Sequence, residues 1–560
     1  MPIAGAQIVL ECLKREGVEV VFGYPGGCNI PLYDALYNSP IRHILTRHEQ
    51  GAAFAAGGYA RATGQPGVCL ATSGPGATNL VTGIADAKMD GVPLICITGQ
   101  VRRPVIGTDA FQETDVVGLT LTITKWNHLV MRVEDLATVF AQAFYIARSG
   151  RPGPVLIDIP VDVLREKLDS FEYPEKVAVA GYTPDKKSDL PFDQLNELLL
   201  SSHHPVAIVG AGAKWSGATS LVRELLDRLQ LPAVSTVQGL GTIPEDRPYY
   251  LGMVGMHGTR QSNMAVSHSD FLLVLGARLD DRVTGDPLHF ARQAKIAHFE
   301  IDPAQFDRVR TYEVKIEGDL KQTVAEFLQV MPSDLPDWRP WLEEICGIAN
   351  PETKENVAGG KPSPTRALEM LFALMEPDAM VTADVGQHQM WAAQRASGIA
   401  NPRQFITSGG LGAMGFALPA SIGMQLGYPH RQVICVTGDG GYQMNIQELA
   451  TIQRYSLPVK ILVIDNKYLG MVRQWQQLFW DRRYSETDLY DNPDFVRIGE
   501  AYGIPGVLMN RGENMEQQLK EFLAAPGSAQ LVVECPAETN VYPMVPAGAA
   551  LHEMLLEEKK

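Results

Sequence analysis

The chain has 560 residues, 45% of them hydrophobic, and a formal net charge of −16. That length supports several hydrophobic cores and roughly three or four domains, and the acidic balance excludes general nucleic-acid binding. The seven cysteines are scattered without a CxxC pair, as expected of reduced core thiols in a cytoplasmic protein; no apolar segment approaches the roughly 20 residues of a membrane span.

The opening "MPIAGAQIVLECLKREG" reads as a short amphipathic helix rather than a targeting signal. A first block, residues 1–168, alternates apolar strands ("VEVVFGYPGG", "GVCLATSGPG", "PLICITGQ") with helices and closes at "RPGPVLIDIPVDV". Residues 169–191 are polar and contain Pro and Lys, which marks a linker. A second block, 192–345, holds "PVAIVGAGA", "FLLVLGARLDDR" and "KIAHFEIDP"; a second polar linker, 346–364, precedes a third block, 365–560. Strands alternating with helical segments predict the α/β class, with three doubly wound, mostly parallel sheets.

Several loops carry chemistry-bearing residues. Glu49 precedes a helix made almost wholly of Gly and Ala, which admits close approach of another backbone or of a ligand; the acid also complements the helix N-terminus. "SGPGATN" (73–79) is a Gly-rich loop that opens a helix, and "GTDAFQE" (107–113) sets an aromatic between polar groups. "VAIVGAGAK" follows a strand but lacks the third glycine of the dinucleotide fingerprint. Asp281 and Arg282 read either as an ion pair or as an Arg free for a carboxylate. Met414 lies among small residues, where a Met is commonly core filler. Trp475 is a packing anchor or a pocket wall.

The stretch from Val433 to Asn466 is the most informative. An apolar run ends in Gly438-Asp439-Gly440-Gly441; Asn445 and Glu448 have capping-box spacing, with a helix predicted to about Tyr455. A second apolar run, Lys460–Ile464, ends in Asp465-Asn466. This is a βαβ unit, so the two strands are parallel with a right-handed crossover. Both polar endings then reach one carboxyl edge, where α/β sheets bind ligands. A carboxylate and an amide oxygen suit a hard cation, and glycines admit a diphosphate. Ile95–Gln100 echoes Ile434–Asp439, which suggests that the first and third blocks are copies of one fold.

Taken together, "VFGYPGG", "RHEQGAAxAAxGYARATG", "ATSGPGATNLVTGxADA", "ITGQV", "GTDAFQE", "SGRPGPVLIDIP", "LGMxGMHG", "GARxDDRVTG", "DVGQHQMWAAQ", "SGGLGxMGFALPA", "GDG" and "LGMVRQWQQLF", with x for any residue, resemble the thiamine diphosphate enzymes of the acetohydroxyacid synthase (acetolactate synthase) family. The resemblance spans almost the whole chain. It implies a pyrimidine-binding, a central FAD-binding and a diphosphate-binding domain. It also implies decarboxylation of pyruvate and condensation with a second pyruvate or with 2-ketobutyrate, a first common step of branched-chain amino-acid synthesis. Asp439, Asn466 and the backbone oxygen of Tyr468 would hold Mg²⁺. Glu49 would hydrogen-bond the aminopyrimidine ring, Met414 would wedge the bent cofactor, and Gln112 and His388 would lie near cofactor or substrate.

Tyr24, Pro25, Thr72, Asn79, Gly386, Gln387, Gly412, Gly440, Gly441, Gly470, Met471 and His257 are the further cofactor-binding residues that the resemblance implies. Its FAD candidates are Arg151, Gly210, Gly212, Gly258, Arg278, Asp302 and Asp319. Arg282 would bind the acceptor carboxylate, with Phe111, Met256 and Trp475 lining that pocket. A homodimer or tetramer is implied, with Glu49 and the Mg²⁺ site on different subunits, and with a separate small regulatory subunit in some members. Val161, Leu279 and Gly441 depart from the family's common Lys, Phe and Ser. Pyruvate oxidase or 2-keto-acid decarboxylase chemistry is the alternative; intact Glu49, Asp439 and Asn466 argue against a non-catalytic scaffold.

Overall fold

Uninterrupted runs of Val, Ile and Leu become strands covered on both faces, and the chain builds three such sheets. The computed structural model describes residues 2–182, 189–349 and 360–557. Residues 183–188 and 350–359, inside the two stretches read as linkers, lie outside the described residues. Each sheet has six strands, and every pair within them is parallel. A small antiparallel ladder, Ile3–Ala4 with Lys167–Leu168, ties the start of the chain to the end of the first block. Among the described residues no helix is long and apolar enough to cross a membrane.

With strands numbered in chain order inside each sheet, the first and third sheets share the order 2-1-3-4-6-5, and the middle sheet has 3-2-1-4-5-6. The latter is the order of dinucleotide-binding sheets. The shared order supports two copies of one fold, but it corrects the matched pair. Leu94–Gln100 is the fourth strand of its sheet, whereas Val433–Gly438 is the third. The counterpart of Val433–Gly438 is Gly67–Ala71, which runs into the Thr72-Ser73-Gly74 loop. A short Thr-Gly match records only how such strands end, not where they lie in the sheet.

The Gly/Ala helix Glu49–Thr63 packs against the helix Ala417–Gly427 of the third block. A Cβ at Gly58 would lie 2.2 Å from the Ala420 oxygen, and one at Gly423 would lie 1.8 Å from the Ala55 oxygen. The small residues therefore serve a backbone, and one core runs across both blocks, from Ala52 and Ala56 to Ile422 and Cys435. The expected capping box does not form. A separate short helix, Asp439–Met444, ends at Asn445, and a 3-10 turn and the helix Leu449–Arg454 follow it; the Asn445 side chain caps neither, since its Nδ2 donates to the Gly415 oxygen at 2.8 Å. Glu448 instead turns to the first block, where its Oε1 accepts the Arg47 and His48 N–H groups at 2.9 and 3.1 Å. A distant pair of orphan donors outcompetes the local one. The end of the third block also crosses over: Val545 N donates to the Met256 oxygen at 2.8 Å, and Asp286 N to the Ala549 oxygen at 2.9 Å.

Candidate active site

Gly438 pairs with Ile464 in the parallel ladder, so Asp439 and Asn466 emerge from adjacent strands at one sheet edge. Asp439 is 3% exposed. Asn492 Nδ2 donates to Asp439 Oδ2 at 2.9 Å and to Asp465 Oδ1 at 3.2 Å, so one amide bridges two buried carboxylates. Asp465 has a cation, Lys467 Nζ at 2.6 Å. Burial, and then the Asp465 charge, push the Asp439 carboxyl well above the usual carboxylate range. An acid so placed is stabilised in its charged form by a cation. Asn466 donates to Gln387 Oε1 at 3.2 Å and accepts the Tyr468 N–H at 3.0 Å.

Among the described residues no group of three or more His, Cys, Asp and Glu suits a metal. The donors here are instead one carboxylate, one amide oxygen and backbone oxygen. Mg²⁺ accepts such a set when phosphate and water complete its shell. Two of the surrounding glycines serve close packing. A Cβ at Gly440 would lie 2.9 Å from Leu469 and 3.4 Å from Met414 Cε, and one at Gly470 would lie 2.2 Å from Gln387 Oε1. His388 is buried with Nε2 unpartnered, and burial lowers its pKa to about 3, so the imidazole is neutral. An orphaned buried nitrogen at the rim of this site fits a bound polar group.

A cavity of about 570 Å³ extends from this edge to the middle sheet, within the usual size of a cofactor site. Gly386, Gln387, His388, Gly412, Met414, Asp439, Gly440, Gly441, Asn466, Tyr468, Gly470 and Met471 line one side. Met414 therefore faces a cavity rather than filling a core. Trp475 is a wall of the same cavity, 36% exposed. Met256, His257 and Arg282 line it from the middle block. Arg282 Nη1 is 2.9 Å from Met256 Sδ, and Asp281 stands off at 3.9 Å. The tight ion pair of this loop is Arg278 with Asp280, at 2.7 Å. Arg282 is thus a guanidinium without a close carboxylate, beside a cavity.

Arg151, Gly212, Arg278 and Asp319 also line the cavity, whereas Gly210, Gly258 and Asp302 do not. The two glycines serve close packing: a Cβ would lie 2.4 Å from Ala277 Cα at Gly210 and 2.5 Å from the Met253 oxygen at Gly258. Asp302 caps the Ala304 N–H at 3.1 Å.

Glu49 sits elsewhere. It is 8% exposed, its Oε2 accepts Asn79 Nδ2 at 3.0 Å, and its Oε1 lies 3.2 Å from a Cβ built at Gly76. Thr72 packs under Gly26 and Gly76. Tyr24, Pro25, Glu49, Thr72, Asn79, Phe111 and Gln112 do not line the cavity of their own chain, and Phe111 is 88% exposed. Within one chain the Glu49 cluster and the Asp439 edge are therefore separate.

Sequence reasoning missed three residues here. Asp465 was visible as a strand ending, yet its place beside Asp439 follows only from the register. Asn492, in "YDNPD", carries no motif. Asp384 Oδ1 accepts Val385 N at 2.7 Å and Gly415 N at 2.9 Å, which anchors the peptide after Met414; burial lifts its pKa to about 6. Its only signal was an acid at the end of a strand.

Comparison with known proteins agrees with this geometry. Residues 3–119 match the N-terminal TPP-binding domain of thiamine pyrophosphate enzymes, 192–327 match their central domain, and 384–533 match their C-terminal TPP-binding domain. The chain is 47% identical to the acetolactate synthase isozyme 2 large subunit of Escherichia coli, over 98% of this chain and 99% of that one. It is 45% identical to the acetolactate synthase large subunit of Parasynechococcus marenigrum, over 99% and 91%. It is 44% identical to a probable acetolactate synthase large subunit of Methanocaldococcus jannaschii, over 98% and 94%. Three matched domains in one order, together with relatives aligned nearly end to end, place the chain in the acetolactate synthase large-subunit family of thiamine pyrophosphate enzymes.

Proposed function

We propose that this transferase removes CO₂ from pyruvate and joins the remaining two-carbon unit to a second pyruvate or to 2-ketobutyrate. The observation that carries this is one cavity holding the Asp439–Asn466 edge, an Arg282 free of a close carboxylate, and Trp475. Thiamine diphosphate, when bound, supplies the electron sink for the loss of CO₂. Asp439, Asn466 and the Tyr468 backbone oxygen would hold Mg²⁺, which would neutralise diphosphate charge. Glu49 would hydrogen-bond the aminopyrimidine ring and hold a proton at its carboxylate, and Met414 would support the bound cofactor. Arg282 binds the carboxylate of the acceptor keto acid, and charge-assisted hydrogen bonds make that contact strong. Neutral His388 offers a hydrogen bond without adding charge.

Gly212, Arg151, Arg278 and Asp319 would hold FAD, which suits the sheet order of the middle block. The Glu49 cluster and the Asp439 edge are joined between two copies of the chain, in a homodimer or tetramer, and a small regulatory subunit is a further partner. The compartment is the cytoplasm.

Product analysis tests the proposal. The purified chain is incubated with thiamine diphosphate, Mg²⁺, FAD and pyruvate, with and without 2-ketobutyrate. Acetolactate is expected, giving way to 2-aceto-2-hydroxybutyrate when 2-ketobutyrate is added. Acetaldehyde, acetate or acetyl phosphate without a condensed product refutes it. Trp475→Gln is expected to lower the preference for 2-ketobutyrate while acetolactate formation survives. One methylene against an apolar wall is worth about 10- to 200-fold. A product ratio unchanged in a two-substrate competition removes Trp475 from the acceptor pocket.

A further inference from the structure

The three blocks meet at a buried ionic cluster outside the residues considered so far. Arg61, on the helix Glu49–Thr63, is 2% exposed, and Asp86, on the helix Val81–Asp90, is 1% exposed. Arg61 Nη2 donates to Asp86 Oδ2 at 2.7 Å and to Asp90 Oδ2 at 3.0 Å. Its guanidinium carbon is 4.8 Å from the centre of the Phe416 ring.

A buried ion pair accounts for Arg61 and Asp86, because breaking such a pair strands a charge. It does not account for Asp90, whose oxygens mainly hold another segment. Oδ1 accepts the Gly410 N–H at 2.7 Å, and Oδ2 accepts the Gly409 N–H at 3.1 Å and Gln238 Nε2 at 3.2 Å. Next to it, Asp86 Oδ1 accepts the Ser408 hydroxyl, whose oxygen in turn accepts the Ala413 N–H at 2.9 Å. The segment so held leads directly into Met414. It contains Gly409, Gly410 and Gly412, the last at φ +71°, and glycines supply no rigidity of their own. Its geometry must be imposed from outside, and two acceptor oxygens on a helix end impose it through charge-assisted hydrogen bonds.

We propose that Asp90 is a positioning residue: through the Gly409 and Gly410 N–H groups it sets the 408–413 loop and thereby the side chain of Met414. This rests on the thiamine diphosphate reading of the cavity. The test is a double-mutant cycle in cofactor affinity, which separates action through Met414 from a general loss of stability. The full chain, with FAD and Mg²⁺ present, is titrated with thiamine diphosphate and followed by tryptophan fluorescence. Wild type, Asp90→Asn, Met414→Ala and the double variant are compared.

Each single variant is expected to raise Kd about tenfold, the scale of a contact displaced by a fraction of an ångström. The double variant is expected to bind no more than about twofold worse than Met414→Ala, since two changes on one path do not multiply. An unchanged Kd for Asp90→Asn overturns the proposal, as does an unchanged Kd for Met414→Ala or a double variant in which the two effects multiply. Failure of the wild type to bind thiamine diphosphate overturns the underlying reading instead. If Asp90→Asn loses its cooperative melt, Gly410→Ala takes its place in the same cycle. Its methyl would meet Asp90 Oδ1 at 2.8 Å and Arg278 Nη2 at 2.9 Å, which displaces the loop with every charge kept.

Discussion

Glu49→Gln is expected to lower kcat for acetolactate formation by about 10²–10⁴-fold, the range for losing one positioned acid–base group, with the melting temperature nearly unchanged. The side chain is buried and its hydrogen bonding is simple. Oε2 takes one hydrogen bond from Asn79, which an amide oxygen also accepts, so an isosteric Gln keeps the packing. What Gln lacks is the charge and the ability to hold a proton. Thiamine diphosphate affinity is expected to change far less than kcat, because Asp439 and Asn466, the proposed metal ligands, lie apart from Glu49 in the chain. Steady-state kinetics alongside a cofactor titration check both. Near-normal turnover removes Glu49 from the chemistry; equal losses in affinity and turnover make it a binding residue only.

The second large effect has opposite signs for function and stability. Asp439→Asn is expected to weaken Mg²⁺-dependent thiamine diphosphate binding by about a hundredfold, or about 2.7 kcal/mol, because the only carboxylate of the donor set is lost. The same change is expected to raise the melting temperature of the metal-free chain. Two carboxylates share the Asn492 amide in a buried site, and like charges held out of water oppose each other. Removing one relieves the metal-free fold. Calorimetric melts in a chelating buffer, with a cofactor titration in Mg²⁺, read the two signs. A metal-free variant that melts lower, together with unaltered cofactor affinity, defeats the assignment of the site.

Much of this was readable from residues alone, and the reason is parity. In a βαβ unit the two strands must be parallel, so the polar residues that end two apolar runs arrive at the same edge. Asp439 and Asn466 follow from that rule without any distance. The same logic does not say which strands are neighbours. That is why the Thr-Gly echo pointed to two similar blocks but matched a third strand with a fourth. Partners distant in the chain were hidden for another reason. No motif marks Arg61, Asp86 and Asp90, and charge on a helix is usually exposed; only the packing of three blocks buries them. Glu448 had a plausible partner three residues away and took one about 400 residues away. The GAG of the middle block was weak as a motif, and the strand order 3-2-1-4-5-6, which is that of dinucleotide-binding sheets, is invisible in the sequence.

The separation of Glu49 from the cavity of its own chain has a genetic consequence. In the proposed pair, each complete site draws Glu49 from one copy and Asp439 from the other. A chain carrying Glu49→Gln and a chain carrying Asp439→Asn are each expected to be strongly impaired by themselves at limiting thiamine diphosphate. When the two share a pair, both lesions fall in one site and the other site is assembled entirely from unaltered residues. Two impaired alleles expressed in one cell then complement each other, whereas both changes placed in one chain spoil both sites of a mixed pair with wild type. The protein behaves as a dominant lesion or a rescuable one according to whether its two defects are in cis or in trans.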